Sequence, residues 1–152
     1  MAVTEIQTKA YQLADALRRM IEKAEPFVAE GGIVLTEWDS TLQADFLAAI
    51  DDGKVVALIE KPELTLVEDS RKLFYTYEYR VGIYWRKNLD VDGYDVAKEV
   101  ASRIHYQQPN TEMTKGLRFS VRRIDRGNDA EEDLARVTME VEIRALIGEP
   151  RQ

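Results

Sequence analysis

Between residues 73 and 85 the side chains alternate with a period of two. Leu73, Tyr75, Tyr77, Tyr79, Val81, Ile83 and Trp85 fall on one side of an extended ribbon, and Thr76, Glu78, Arg80 and Gly82 fall on the other. This predicts a strand in a sheet with one buried face. At about 3.3 Å per residue the strand runs roughly 40 Å, longer than an ordinary strand, so part of it is expected to project beyond the core and to invite a partner chain. A second such strand is predicted over 134–147, with Ala135, Val137, Met139, Val141, Ile143, Ala145 and Ile147 opposite Arg136, Thr138, Glu140, Glu142 and Arg144.

Three stretches follow a helical period instead. Ile6, Ala10, Leu13, Leu17, Met20, Ile21 and Ala24 make one apolar stripe, with Thr4 as N-cap and Pro26 beyond the end. Leu42, Phe46, Ala49 and Ile50 predict a shorter helix, capped by Ser40 or Thr41 and ended by Asp51-Asp52-Gly53. Tyr94, Ala97, Val100, Ala101 and Ile104 predict a third, with Asp92 or Asp95 at its positive end and Pro109 closing the segment. Gly31-Gly32 breaks the chain, and Ile33-Val34-Leu35 reads as a strand or a packed loop. Strands are also predicted over 55–60 and 64–68, as a hairpin or a bent pair around Lys61-Pro62, and over 117–122, before a turn at 126–129. Strands grouped around one helix, each with one apolar face, predict an α+β fold: a mostly antiparallel sheet with helices packed on one face, the first and third helices supplying that layer. The length suits a single domain over 1–152, with 27–53 as an insertion or subdomain.

Composition narrows the function classes. The chain has 152 residues, is 45% hydrophobic and contains no cysteine. That excludes disulfide scaffolds, thiolate zinc sites and cysteine nucleophiles, and fits synthesis in a reducing cytoplasm. No stretch resembles a signal peptide or approaches the ~20 apolar residues of a membrane span, so no membrane partner is expected. A formal charge of −7 argues against free nucleic acid as a specific partner. Arg118, Arg122, Arg123 and Arg126, with Arg80, Arg86 and Lys87 nearby, form the one basic concentration; pairing with Glu78, Glu140 and Glu142 on the adjacent strand is its simplest explanation.

Catalytic signals are absent. The single histidine, His105, sits at a helix end, where it suits the last carbonyls and cannot make a histidine-based metal site. Asp90, Asp92 and Asp95 loosely follow a calcium loop but depart from its pattern after the second acidic residue. No phosphate-cradling glycine loop, nucleophile elbow or zinc-protease motif occurs. The expectation is a protein without catalysis, metal or cofactor. Tyr84 and Phe74, off the apolar face, are candidates for contacts between subunits.

The element order, with the aromatic strand from Leu73-Phe74-Tyr75-Thr76-Tyr77 onward, the helix after Asp92-Gly93-Tyr94-Asp95, and the closing strand Arg136-Val137-Thr138-Met139-Glu140, resembles phage tail terminator and tail-completion proteins, including Mu-like prophage forms. The resemblance spans residues 4–147 and implies a structural virion component. It would be made in the bacterial cytoplasm, located in the virion tail and assembled as a homo-oligomeric ring, commonly hexameric. Such a ring caps the tail tube protein and docks the head–tail connector. An acidic balance suits a ring lumen that does not grip DNA. The alternatives are a neck, baseplate or secretion-system adaptor, or a small-molecule-binding module with a pocket between the sheet and the third helix. The expected oligomer or tube contacts are the ends of the 73–86 strand with Phe74, Tyr84, Arg86 and Lys87, the 107–116 loop with Thr111 and Lys115, and the 126–133 turn with Arg126, Asp129 and Glu131.

Overall fold

The computed structural model describes residues 2–29, 31–109, 118–126 and 133–148, with side chains for all of these except 2–8, 72 and 145–148. In chain order the elements are α1 (Ala2–Glu22), α2 (Glu25–Val28), β1 (Ile33–Thr36), α3 (Leu42–Asp51), β2 (Val56–Ile59), β3 (Glu63–Asp69), β4 (Lys72–Arg86), α4 (Gly93–Ile104), β5 (Ser120–Asp125) and β6 (Leu134–Gly148). The fold is α+β. The described strands form one sheet in the order β1-β2-β4-β6-β5, with β3 also on β4, and every pairing is antiparallel except β1 with β2.

The two long alternating segments pair with each other. The β4–β6 ladder runs from Arg86↔Leu134 to Leu73↔Gly148, and the inward residues Tyr77, Tyr79, Val81, Ile83, Val137, Met139, Val141 and Ile143 are buried. Against them lie Leu13, Leu17 and Ile21 of α1 and Val96, Ala97, Val100 and Ile104 of α4. Helix α1 begins at Ala2, so Thr4 lies inside it and is not its N-cap. Asp92 does cap α4, accepting from the Tyr94 and Asp95 N–H groups at 3.0 and 3.4 Å. Gly93 lets the helix start against the indole of Trp85, since a Cβ there would fall 1.9 Å from a ring carbon.

Helix α3 departs from the expected single helical layer. Its Ile50, Ala49, Phe46 and Leu42 pack on Leu35, Val56, Leu58 and Tyr84, which alternate away from the main core, so α3 covers one end of the opposite face. The cause is the run Val55-Val56-Ala57-Leu58-Ile59, apolar on both faces, which needs cover on both sides. Its end follows the expected Asp51-Asp52-Gly53 signal: Gly53 has φ +73°, its N–H bonds Ile50 C=O, and Lys54 N–H bonds Ala49 C=O, a Schellman closure. Ile33-Val34-Leu35 resolves as a strand, parallel to β2, with α3 as the crossover between them.

Strands β2 and β3 do not form a hairpin with each other. Both lie along the same edge of β4, β2 on Val81–Tyr84 and β3 on Lys72–Glu78, with the ladder interrupted around Pro62, which has no N–H to donate. The hairpin is β3–β4, closed by Ser70 and Arg71 with φ of 51° and 66°, the paired positive values of a type I′ turn. Strand β5 starts later than expected and runs to Asp125, because a bulge between Val121 and Arg123 breaks the period that appeared to end at Arg122.

One polar bond ties the sheet to α1 through the core. The buried Tyr79 hydroxyl donates to the Ala10 carbonyl at 2.6 Å. Burial, and secondarily the neighbouring Tyr77 phenol, push the Tyr79 pKa far above its ordinary value of 10. The unfolded chain therefore ionises this phenol first, so its contribution to stability is complete below pH 10 and falls as the pH rises above 10. Tyr79→Phe is expected to cost about 1 kcal/mol at neutral pH and to reduce the loss of stability between pH 9 and 11. Urea titrations at several pH values check this; unchanged alkaline behaviour in the variant would contradict it.

Candidate assembly surface

The β4–β6 ladder outruns the helices that cover it. On the inner face Tyr77 and Ile143 are fully buried, but Tyr75 and Leu73, the next positions outward, are only half-buried. Strand β3 flanks this end, pairing Leu64 with Tyr77 and Leu66 with Tyr75, and the two leucines are 43% and 56% exposed. The result is a three-stranded arm of β3, β4 and β6, extending roughly 15 Å past the fully buried layer at 3.3 Å per residue. Among the described residues β3 pairs only with β4, so its outer edge carries unpartnered main-chain groups beside exposed leucines. Covering both leucines would contribute on the order of 2–3 kcal/mol.

At the root of the arm the outer face is charged, and farther out it carries the pairs Thr65↔Thr76 and Val67↔Phe74. Glu63, Glu78 and Glu142 are direct cross-strand neighbours in one row, and Ser120 of β5 completes it. Like charges set opposite one another oppose pairing. Arg122 answers one of them, reaching Glu142 at 2.9 Å as expected for the basic concentration. The other arginines find different partners: Arg123 pairs with Asp125 at 3.1 Å, Arg144 with Asp69 at 3.5 Å, and Arg126 stacks 5.3 Å from the Tyr94 ring. An open depression of about 440 Å³ lies over this charged face, among Glu63, Glu78, Arg80, Arg122 and Glu142. A second, of about 420 Å³, opens beside Trp85, Tyr94 and Arg126 between the sheet and the start of α4.

The expected contact residues occupy separate places. Phe74 is half-buried near the arm tip, paired with Val67 of β3. Tyr84 lies at the other end of β4 beneath α3, its ring edge-on to Phe46 at 5.1 Å, a contact within one chain. Arg86 is a clamp: its guanidinium reaches Asp51 and Asp133 at 2.7 Å each, and its Nε donates to the Ile50 carbonyl at 3.1 Å. Lys87 is exposed, and its main-chain N–H bonds the Asp133 carbonyl. Arg126 is exposed at the end of β5. Thr111, Lys115, Asp129 and Glu131 lie outside the described residues, as does most of the 107–116 loop and the 126–133 turn.

The margin beyond β5 holds features that periodicity did not reveal. His105 ends α4, but its Nδ1 accepts the Val121 N–H at 3.0 Å instead of serving the helix carbonyls. That bond requires an unprotonated Nδ1. Tyr106 N–H bonds the Phe119 carbonyl and Phe119 N–H bonds the Gln107 carbonyl, so residues 105–107 close the start of the β5 edge. Tyr106 itself has φ 64° and is 65% exposed, and Arg118 donates to its carbonyl at 2.6 Å. A left-handed tyrosine is a strained conformation for a bulky residue. Nothing in the sequence around Tyr106 marks this, because the turn lacks the glycine or asparagine that normally signals it.

Among the described residues no group of three or more His, Asp or Glu side chains is placed to hold a metal ion, and Asp92 of the acidic loop is engaged in capping. No described helix is long and apolar enough to cross a membrane. Arg86→Met, which keeps the side-chain stem and removes the guanidinium, is expected to cost about 1–2 kcal/mol, because it breaks two ion pairs and a bond to a helix-end carbonyl. Urea denaturation measures this, and a loss below about 0.3 kcal/mol would show the clamp to be idle. No protein-family model matches the chain, and no curated protein sequence matches it.

Proposed function

We propose that this protein is a self-associating structural component of a phage or prophage tail, acting as a terminator whose ring caps the tail tube and presents a surface to the head connector. The observation that carries this reading is the β3–β4–β6 arm, whose exposed Leu64 and Leu66 border a strand edge that is unpaired among the described residues. A monomer that keeps such an edge risks indiscriminate pairing, whereas a subunit of a ring uses it. The residues that terminate polymerisation act by shape and polarity, not by chemistry, and they come from strand edges and loops. The element order and strand texture that resemble tail terminators support the same reading.

Light scattering over a concentration series, with electron microscopy of stained particles, tests it. The expected result is a closed ring of about six subunits, either alone or on addition of tail tube protein. A monomer at every concentration, with tube protein present as well as without, would overturn it.

A further inference from the structure

Resting on the self-association reading, we infer that two copies pair β3 with β3, antiparallel about a two-fold axis at Thr65, so that the two sheets run on as one. The unpaired stretch on this side of β4 has clear bounds among the described residues. Strand β2, which shares that side, is covered by β1, and the Lys61 N–H just before β3 is taken by the Glu37 carboxylate at 2.7 Å. A two-fold axis normal to the sheet sets inward residues opposite inward ones, so it passes through a residue and not between two. Centring it on Leu66 sets Glu63 against Asp69 and Leu64 against Glu68; on Leu64, Glu60 against Glu68; on Val67, Leu66 against Glu68. Centring on Thr65 avoids all of these. Leu64 then faces Leu66 twice, Thr65 faces Thr65, Glu63 faces Val67, and at each end Lys61 stands opposite Asp69, the one charged pairing in the register and a favourable one.

Polarity agrees with this register on both faces. On the inner face an apolar row crosses the junction, from Tyr75 to Leu66 and on to Leu64 and Tyr77 of the second copy, with its two-fold mate beside it. Leu64 and Leu66, 43% and 56% exposed in the single chain, become the centre of the contact, as apolar side chains are at the core of an interface. On the outer face the two Thr65 side chains meet, a pairing that favours adjacent strands. One strand pair and four leucines make a small contact, in the weak, reversible class below about 1,200 Å². The pair therefore forms and separates with concentration. A two-fold contact is complete at two copies, so growth from the pair to a ring proceeds through a different surface.

The chain has no cysteine, so single introduced thiols report the register directly. Thr65→Cys, Glu63→Cys and Val67→Cys all lie on the outer face of the arm, outside the core. With a short bismaleimide, Thr65→Cys is expected to cross-link to itself at least tenfold more than Val67→Cys does, because two copies of residue 67 stand four positions apart, roughly 13 Å at 3.3 Å per residue. An equimolar mixture of Glu63→Cys and Val67→Cys is expected to link the two variants to each other. Both yields should rise with concentration as the wild-type solution mass moves from one chain toward two. Equal self-linking at residue 67, or none at residue 65 in protein whose mass doubles, would place the contact in another register or on another surface and overturn the inference. Free protein that stays monomeric throughout would also overturn it; rings formed on tube protein would then leave the self-association reading standing, and no assembly with tube protein would remove both.

Discussion

Everything in this fold is organised around one pairing, that of β4 with β6. Each strand has 15 residues, and the ladder holds nearly all of them in register. Because the side-chain period is two, a one-residue slip would exchange the apolar row of tyrosines, valines and isoleucines for the row of glutamates and arginines, so the register is fixed by burial along the whole length. The helices then have a single surface to cover. Helices α1 and α4 cover its inner face as far as Tyr77, and neither extends over the arm as completely. The exposed end of the ladder is thus a consequence of strand length exceeding helix cover.

Polarity across the sheet follows from what each margin must manage. At β5 the edge is bulged and its start is closed by residues 105–107, so that the Phe119 main-chain groups and the Val121 N–H are already engaged. At β3 none of these devices is present among the described residues; acidic side chains alone guard the edge. Charged side chains on an edge strand discourage indiscriminate pairing. The two margins thus differ in charge and in how their main-chain groups are closed.

Much of this architecture could be read from residue patterns, where one period dominated. The β4 and β6 alternation, the stripes of α1 and α4, the acids at the start of α4 and the Gly53 stop all rest on local chemistry, while the choice of Asp92 as the cap came from the structure. The misses arose where tertiary context prevailed over local pattern. Val55-Val56-Ala57-Leu58-Ile59 is apolar throughout, which hid the need for a helix on the second face; Ser70-Arg71 forms a turn that usually carries Asn-Gly; and one bulge residue concealed the second half of β5. The surface features were less legible still. Phe74 and Tyr84 share a parity along β4, yet one lies near the arm tip and the other is covered by α3, a distinction that periodicity cannot make. Tyr106 and His105 acquire their roles from Phe119, Arg118 and Val121, residues brought to them only by the fold.

The central claim is that the β3 edge is the contact through which copies assemble. Hydrogen–deuterium exchange of residues 64–68, compared between dilute and concentrated protein, tests it most directly, since alternate amides of an edge strand have no partner until another surface covers them. The account predicts that these amides gain protection in step with particle mass, while the amides of α1 and α4 stay as they were. Assembled particles in which residues 64–68 exchange as fast as in the dilute protein would contradict it.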